Sequence, residues 1–296
     1  MAARIGIDVG GSGARAATVD DNGLGVVFSR ELLAKDAAAV TALVVELVVE
    51  VSQGRAPDAV GVAVPGFVAG GVVLGSPNLP DLAGHPLARA VGDALAARFG
   101  VRVPVGVEND ANAAALGAWS LHDRPSDFLM LTLGTGVGGG IVSGGRLVTG
   151  AHGFAGEVGH IWVGGERPCG CGARGCLETW AGTAGMRWIA HLRGHAVRDG
   201  KEILDAARAG EAWAKQIVDE AGVALGRGVQ TLLHTLDSGR VVIAGGLAAA
   251  SDLLDPPMRR WLERQLIPPV RERLNLRWEG RADALAILGA AELVSR

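Results

Sequence analysis

The chain has 296 residues, 49% apolar and 20% charged, with a formal net charge of −3. That balance excludes a disordered chain, and arginines scattered among Asp and Glu exclude a dedicated nucleic-acid binder. The length suits two domains, and no apolar run reaches the roughly 20 residues a membrane helix needs.

Arg4 to Val9 reads as a buried strand ending in Gly10-Gly11-Ser12-Gly13. Met1 to Arg4 runs straight into it, so no secretory signal is expected. Ala14 to Val19 reads as the returning strand and Asp20 to Gly23 as a hairpin turn. Ala37 to Ser52 has helical apolar spacing. Ala59 to Val64 is a short apolar strand closed by Pro65-Gly66. Leu87 to Phe99 predicts a helix capped by Gly100. Val101 to Val107 predicts a strand, and Ala111 to Leu121 an Ala-rich helix. The opening pattern then recurs: a strand over Phe128 to Leu133, glycines from Gly134 to Gly140, and a strand over Ile141 to Val148 turned at Ser143-Gly144-Gly145. Thr183 to Leu236 is mostly helical. Arg240 to Ala244 is a strand opening into Gly245-Gly246, and Ala282 to Val294 is a last helix. Pro256-Pro257 and Pro268-Pro269 predict loops. The repeated strand, glycine loop and strand predict two related α/β domains facing one another.

Glycine is the outlier, with 46 residues and no collagen-like period. So many predict loops of special backbone geometry. Glycine permits positive φ and leaves no Cβ in the way, so the amides of such a turn can converge on one anion. One such turn is no more than a tight hairpin; three at strand ends point to a polyphosphate ligand. Gly134 to Gly139 matches G-x-G-x-x-G, but that dinucleotide fingerprint requires a following helix, and Ile141-Val142-Ser143-Gly144-Gly145 is not one. Gly200-Lys201 is followed by Glu202, so a Walker A loop is absent.

The three cysteines, Cys169, Cys171 and Cys176, crowd into one segment after His160. An odd number does not suit a disulfide scaffold and fits a reducing compartment. One imidazole and three thiolates make a closed tetrahedral set, the usual form of structural zinc. A strained C-x-C disulfide and three unrelated buried cysteines are the competing readings. Glu108-Asn109-Asp110-Ala111-Asn112 lies where a strand meets a helix. Asn109 or Asp110 there serves as an N-cap, or the two bind a ligand. Glu157 and Glu178 bracket the cysteine segment. A carboxylate pair raises glycoside hydrolysis, which has no use for three glycine turns.

Over nearly its whole length the chain resembles the ROK family of sugar kinases and repressors. Ile5 to Ser12 looks like the first phosphate loop of that family, and Leu133 to Gly140 like the second. Val64-Pro65-Gly66 and Ser76 to Pro80 look like its sugar-site loops, and Glu108 to Gly117 like its catalytic segment. Gly156-Glu157-Val158-Gly159-His160 and the run from Cys169 to Glu178 are the most specific pieces. The resemblance implies an actin-like ATPase (ribonuclease H-like) fold of two α/β domains around a cleft: 1–112 plus 282–296, and 113–281 with the zinc loop. It implies a cytoplasmic hexose kinase that uses ATP and Mg2+, carries structural Zn2+, and forms a homodimer without nucleic-acid or membrane partners. Glucose is the first-choice hexose, with phosphate passing to its 6-hydroxyl; N-acetylglucosamine and N-acetylmannosamine are the alternatives.

Carried over by position, Asp110 is the base that takes the sugar's proton. Asn109, Glu157, His160 and Glu178 hold the other hydroxyls, helped by Gly66 and Asn78. His160 shares zinc with Cys169, Cys171 and Cys176. Asp8 holds magnesium through water, while Gly10, Gly11, Ser12, Gly134, Thr135 and Gly136 cradle phosphates. Gly245 and Gly246 lie against the nucleoside. Ser12-Gly13 departs from the commoner Thr and a longer residue, and polyphosphate glucokinases share that form. They tend to lack the zinc cluster, which favours ATP. Ala118 stands where the family often has Glu, with no functional loss expected. A sugar-sensing repressor would carry a helix-turn-helix before the first loop, for which no room is expected ahead of Asp8. The arginines from Arg259 to Arg281 are interrupted by Glu263, Glu272 and Glu279, as on an ordinary solvated face. A non-catalytic sugar-binding protein of the family is the remaining alternative.

Overall fold

A computed structural model describes residues 4–280 and 282–294. The chain divides into two compact units, Met1–Arg124 with Gly140–Gly156 and Ala282–Arg296, and Pro125–Gly139 with Glu157–Arg281. No helix among the described residues is long and apolar enough to cross a membrane.

In the first unit, Arg4–Val9 pairs antiparallel with Gly13–Asp20 and parallel with Ala59–Val64, which is parallel to Val105–Asn109. Ala59–Val64 is buried along its whole length, as a central parallel strand covered on both faces should be. The expected strand over Val101 to Val107 starts later, at Val105. Pro104 lacks an N–H for the ladder and contributes only its carbonyl, to the Val60 amide at 2.9 Å.

One face of this sheet carries Ala37–Val51 and Leu87–Phe99, whose apolar sides join the strands in one core. Asp36 caps the first helix through the Ala39 amide, and Gly100 ends the second in the left-handed conformation. The other face receives the last helix, Ala282–Glu292, through a row of glycines. Gly6, Gly61 and Gly106 are cross-strand neighbours. A Cβ on Gly6 would stand 1.9 Å from the Ile287 carbonyl oxygen, and one on Gly61 1.7 Å from that of Ala290. The same helix meets Asp110–Leu121, where a Cβ on Gly117 would reach 2.0 Å from the Leu285 oxygen and one on Gly289 1.6 Å from that of Ala113. The excess of glycine is therefore only partly a matter of turns; part of it lets this helix close on strands and helix alike.

In the second unit, Phe128–Leu133 is parallel to Val241–Ala244, itself parallel to Leu276–Trp278. Val137–Ser143 is a strand, so the glycine run before it opens no helix. It begins before the expected Ile141 because Gly138 to Gly140 are extended, which their composition conceals. The long helix Ala212–Leu236 packs on Ser251–Gln265. Pro256 and Pro257 lie inside that second helix, and Pro268-Pro269 begins the short helix Pro268–Glu272, so neither pair forms the expected loop. Tertiary packing offsets the lost helix bonds: the Pro257 ring fills the space where Gly222 has no side chain, 2.3 Å from a Cβ placed there. Pro268 starts a helix, where a missing N–H costs nothing.

Candidate functional site

The candidate residues fall into two groups, one in each unit. In the first unit, Asp8 is the direct cross-strand partner of Arg15, whose Nη2 donates to Asp8 Oδ2 at 2.8 Å. The turn between them is closed by Gly10 N–H donating to the Gly13 carbonyl at 2.7 Å. A cavity of about 450 Å³ opens beside it, lined by Asp8, Gly10, Ser12 and Arg15 among others. Gly11 lies against Asn78, an exposed residue of the loop that Leu79 N–H and Ser76 Oγ fasten at 3.1 Å.

Gly66 has φ 118°, and a Cβ there would stand 2.2 Å from the Gly75 carbonyl oxygen, so the position requires glycine. Its own carbonyl accepts Asn109 Nδ2 at 2.8 Å. Asn109 also caps Asp110–Leu121, its Oδ1 taking the amides of Ala111 and Asn112 at 2.9 and 3.0 Å. One N–H of its amide stays available to a ligand. Asp110 is the first residue of that helix, half-buried at its positive end, with Oδ1 2.8 Å from the Ala111 amide. Behind it, Glu108 is buried and its Oε1 accepts Asn109 N–H and Asn112 Nδ2 at 2.9 and 3.2 Å. Burial pushes the Glu108 carboxyl above its ordinary range.

In the second unit, Gly134 N–H donates to the Gly136 carbonyl at 3.0 Å. The Gly134 and Thr135 carbonyls accept the Thr183 and Ala184 amides at 2.9 and 3.1 Å, tying the loop to the helix Thr183–Leu192. Gly10, Gly11, Gly134 and Gly136 are not in the left-handed region, which corrects the expectation of positive φ there. Gly136 is needed for closeness instead: a Cβ on it would lie 2.1 Å from Glu178 Oε2. Gly245 does have positive φ, 94°, with the Leu133 carbonyl oxygen 2.3 Å from where a Cβ would stand. Gly246, like Gly134, faces open space.

Glu157 precedes a single turn, Val158–His160, that sets His160 Nε2 3.9 Å from Glu157 Oε2. Burial raises the Glu157 carboxyl, opposed by His160 and reinforced by Glu178. The other ring nitrogen, Nδ1, lies 3.6 Å from Cys169 Sγ, and Cys171 Sγ lies 3.7 Å from Cys176 Sγ. The four ligand atoms all lie within 4.8 Å of one another. Zinc bonds of about 2.3 Å to sulfur and 2.0–2.1 Å to nitrogen, set tetrahedrally, require separations of about 3.6–3.8 Å, so the donor set fits the ion. Burial pushes the Cys176 thiol up to about 12, whereas the Ala173 amide lowers that of Cys171.

Arg167 was not apparent in the sequence. Its guanidinium lies 3.2 Å from the centre of the Trp180 ring and 3.5 Å from Glu220 Oε2, while its carbonyl accepts Gly175 N–H at 2.8 Å. Burial pulls its pKa down to about 10 against the pull of Glu220. It braces the cysteine segment on Ala212–Leu236. Arg15 was equally hidden. A residue's spacing along the chain does not announce a partner across a hairpin or on a distant helix.

Residues 4–296 match the model of the ROK family. A glucokinase of Thermotoga maritima is 34% identical, over 98% of this chain and 96% of its own length. An N-acetylmannosamine kinase of Citrobacter koseri is also 34% identical, over 98% and 97%. Among solved structures, a ROK family glucokinase from Streptomyces griseus in complex with glucose and AMPPNP has a TM-score of 0.76 at 30% identity, covering 98% of each chain. The ROK hexokinase from Thermus thermophilus has a TM-score of 0.85 at 30% identity, covering 98% of this chain and 97% of its own. The chain thus has the actin-like ATPase fold, and it belongs to the ROK family.

Proposed function

We propose that the chain is an ATP-dependent hexose kinase that moves the γ-phosphoryl group of Mg-ATP to the 6-hydroxyl of glucose. The observation that carries this reading is the corner at Asn109 and Asp110. There one amide side chain caps the helix and grips Gly66, leaving a half-buried carboxylate at the helix's positive end. A carboxylate in that place, beside the helix's first amides, is suited to accept a hydroxyl proton. Asp110 orients the 6-hydroxyl and accepts its proton as the oxygen bonds to phosphorus. The bond from phosphorus to the β-bridging oxygen breaks, and its electron pair leaves with ADP. Such a transfer has a loose transition state, so positioning and charge stabilisation do most of the work.

Asn109, Gly66, Asn78, Glu157, His160 and Glu178 hold the remaining hydroxyls. Gly10, Gly11, Ser12, Gly134, Thr135 and Gly136 take the phosphates, with Gly245 and Gly246 against the nucleoside. Asp8 would hold magnesium, which would neutralise phosphate charge when bound. His160, Cys169, Cys171 and Cys176 would hold zinc, which would fix the imidazole and leave its second nitrogen for the sugar. The chain works in the cytoplasm, a reading supported by its three thiols, and as a homodimer, as the family resemblance implies. The likeness to an N-acetylmannosamine kinase gives a second substrate reading. Initial rates of ADP release from Mg-ATP with glucose, N-acetylglucosamine, N-acetylmannosamine, mannose, fructose and no sugar decide between them. The highest kcat/KM with glucose supports the proposal; a preference for an N-acetylated sugar replaces it with the second reading.

A further inference from the structure

We propose that Arg15 is a phosphate-binding residue for the donor, stored on Asp8 until the donor arrives. The inference rests on the kinase reading above. Arg15 and Asp8 face each other across the first glycine turn, joined at 2.8 Å. The Arg15 side chain is 39% exposed and that of Asp8 16%, so the guanidinium is the more accessible partner. Both line the cavity of about 450 Å³ that also meets Gly10, Ser12 and Gly13. Arg30, on the same cavity, is engaged by Glu50 and Glu46 at 2.8 and 3.4 Å. Unlike Arg30, Arg15 is bound to a carboxylate that the reaction reassigns.

A donor brings a phosphate chain together with a cation. Once the cation's charge satisfies Asp8, the hold of Asp8 on Arg15 weakens. The guanidinium then has a ligand that suits it better, because its planar fork matches two phosphate oxygens at once. A side chain serving only as counter-charge for Asp8 behaves in the opposite way. It competes with the cation, so its removal strengthens binding of the charged donor.

The test is calorimetric binding to wild type, Arg15→Lys and Arg15→Gln, each checked by circular dichroism and thermal unfolding. The ligands are Mg-AMPPNP, Mg-tripolyphosphate and adenosine. Arg15→Gln is expected to bind a phosphate ligand about tenfold or more weakly, with adenosine unchanged, the usual loss for a charge-assisted contact. Arg15→Lys, a point charge without the fork, is expected to fall between and keeps the test open if the Gln variant folds poorly. Equal losses for AMPPNP and tripolyphosphate identify the phosphate chain as the ligand. A loss confined to tripolyphosphate supports Arg15 as a contact for an inorganic polyphosphate donor. Unchanged or tighter binding of both phosphate ligands by Arg15→Gln overturns the proposal while leaving the kinase reading intact. A wild type that binds neither phosphate ligand overturns both.

Discussion

The Glu178 carboxylate accepts the Val137 amide at 3.1 Å and occupies the space where Gly136 lacks a side chain. Its other oxygen lies 4.0 Å from Cys169 Sγ. One side chain thus touches both the second glycine loop and the cysteine cluster. In the kinase account these hold donor phosphate and the organiser of the sugar site.

Gly136→Ala tests that coupling. Its Cβ would lie 2.1 Å from Glu178 Oε2 and must displace the carboxylate. Both donor and sugar KM are expected to rise, and kcat/KM to fall by about 10²-fold, the scale of a misplacement near 1 Å. Steady-state kinetics against each substrate check this. A change confined to the donor would show that Glu178 does not transmit it.

Metal removal acts on the same segment from the other side. Chelation, or Cys171→Ser, is expected to lower the melting temperature and weaken glucose binding together. An ion shared by His160 Nδ1, which lies 3.6 Å from Cys169 Sγ, would fix the ring and with it the direction of Nε2. Metal content by mass spectrometry, with calorimetric glucose titration, provides the readout. Unchanged affinity after confirmed zinc loss would separate the cluster from the sugar site.

The glycine row gives a stability prediction. Gly61→Ala would bring a Cβ to 1.7 Å from the Ala290 carbonyl oxygen, backbone that cannot turn aside. The variant is expected to lose about 2 kcal/mol or more, as overpacked interiors do. Urea unfolding measures it; a wild-type midpoint would show that the last helix docks less tightly than described.

These contacts also show what could be read in the chain beforehand. The buried strand at Arg4–Val9, the glycine stop at Gly100 and the gathering of His160 with the three cysteines follow from local signals. The glycine row was opaque because Gly6, Gly61 and Gly106 are neighbours only after three strands pair in register. Pro256 and Pro257 misled for a similar reason. Their helix is held by packing on Gly222, which no local rule contains. Arg15 and Arg167 bind across a hairpin and across elements, and no motif marked either.

Glu108 carries a pH dependence of defined sign. Its folded pKa lies above the unfolded value, so the folded state holds the extra proton. Its contribution to stability is full below the ordinary carboxylate pKa near 4.5 and is lost as pH rises through the folded value. Glu108→Gln mimics the protonated form and keeps an acceptor for Asn109 N–H. The stability gain of the variant over wild type should grow from pH 4.5 towards neutrality. Denaturant unfolding at several pH values measures it; a gap that stays constant or narrows contradicts the assignment.

Asp110→Asn tests the central claim most directly. The substitution keeps the shape and an acceptor for the Ala111 amide and removes the proton acceptor. Glucose 6-phosphate formation from Mg-ATP and calorimetric glucose binding are measured on wild type and variant together. The account predicts robust glucose-dependent turnover in wild type. In the variant it predicts a loss of about 10²–10⁴-fold in kcat, with glucose affinity within a few-fold of wild type. Wild-type-like turnover by the variant, or a wild type that forms no sugar phosphate, contradicts it.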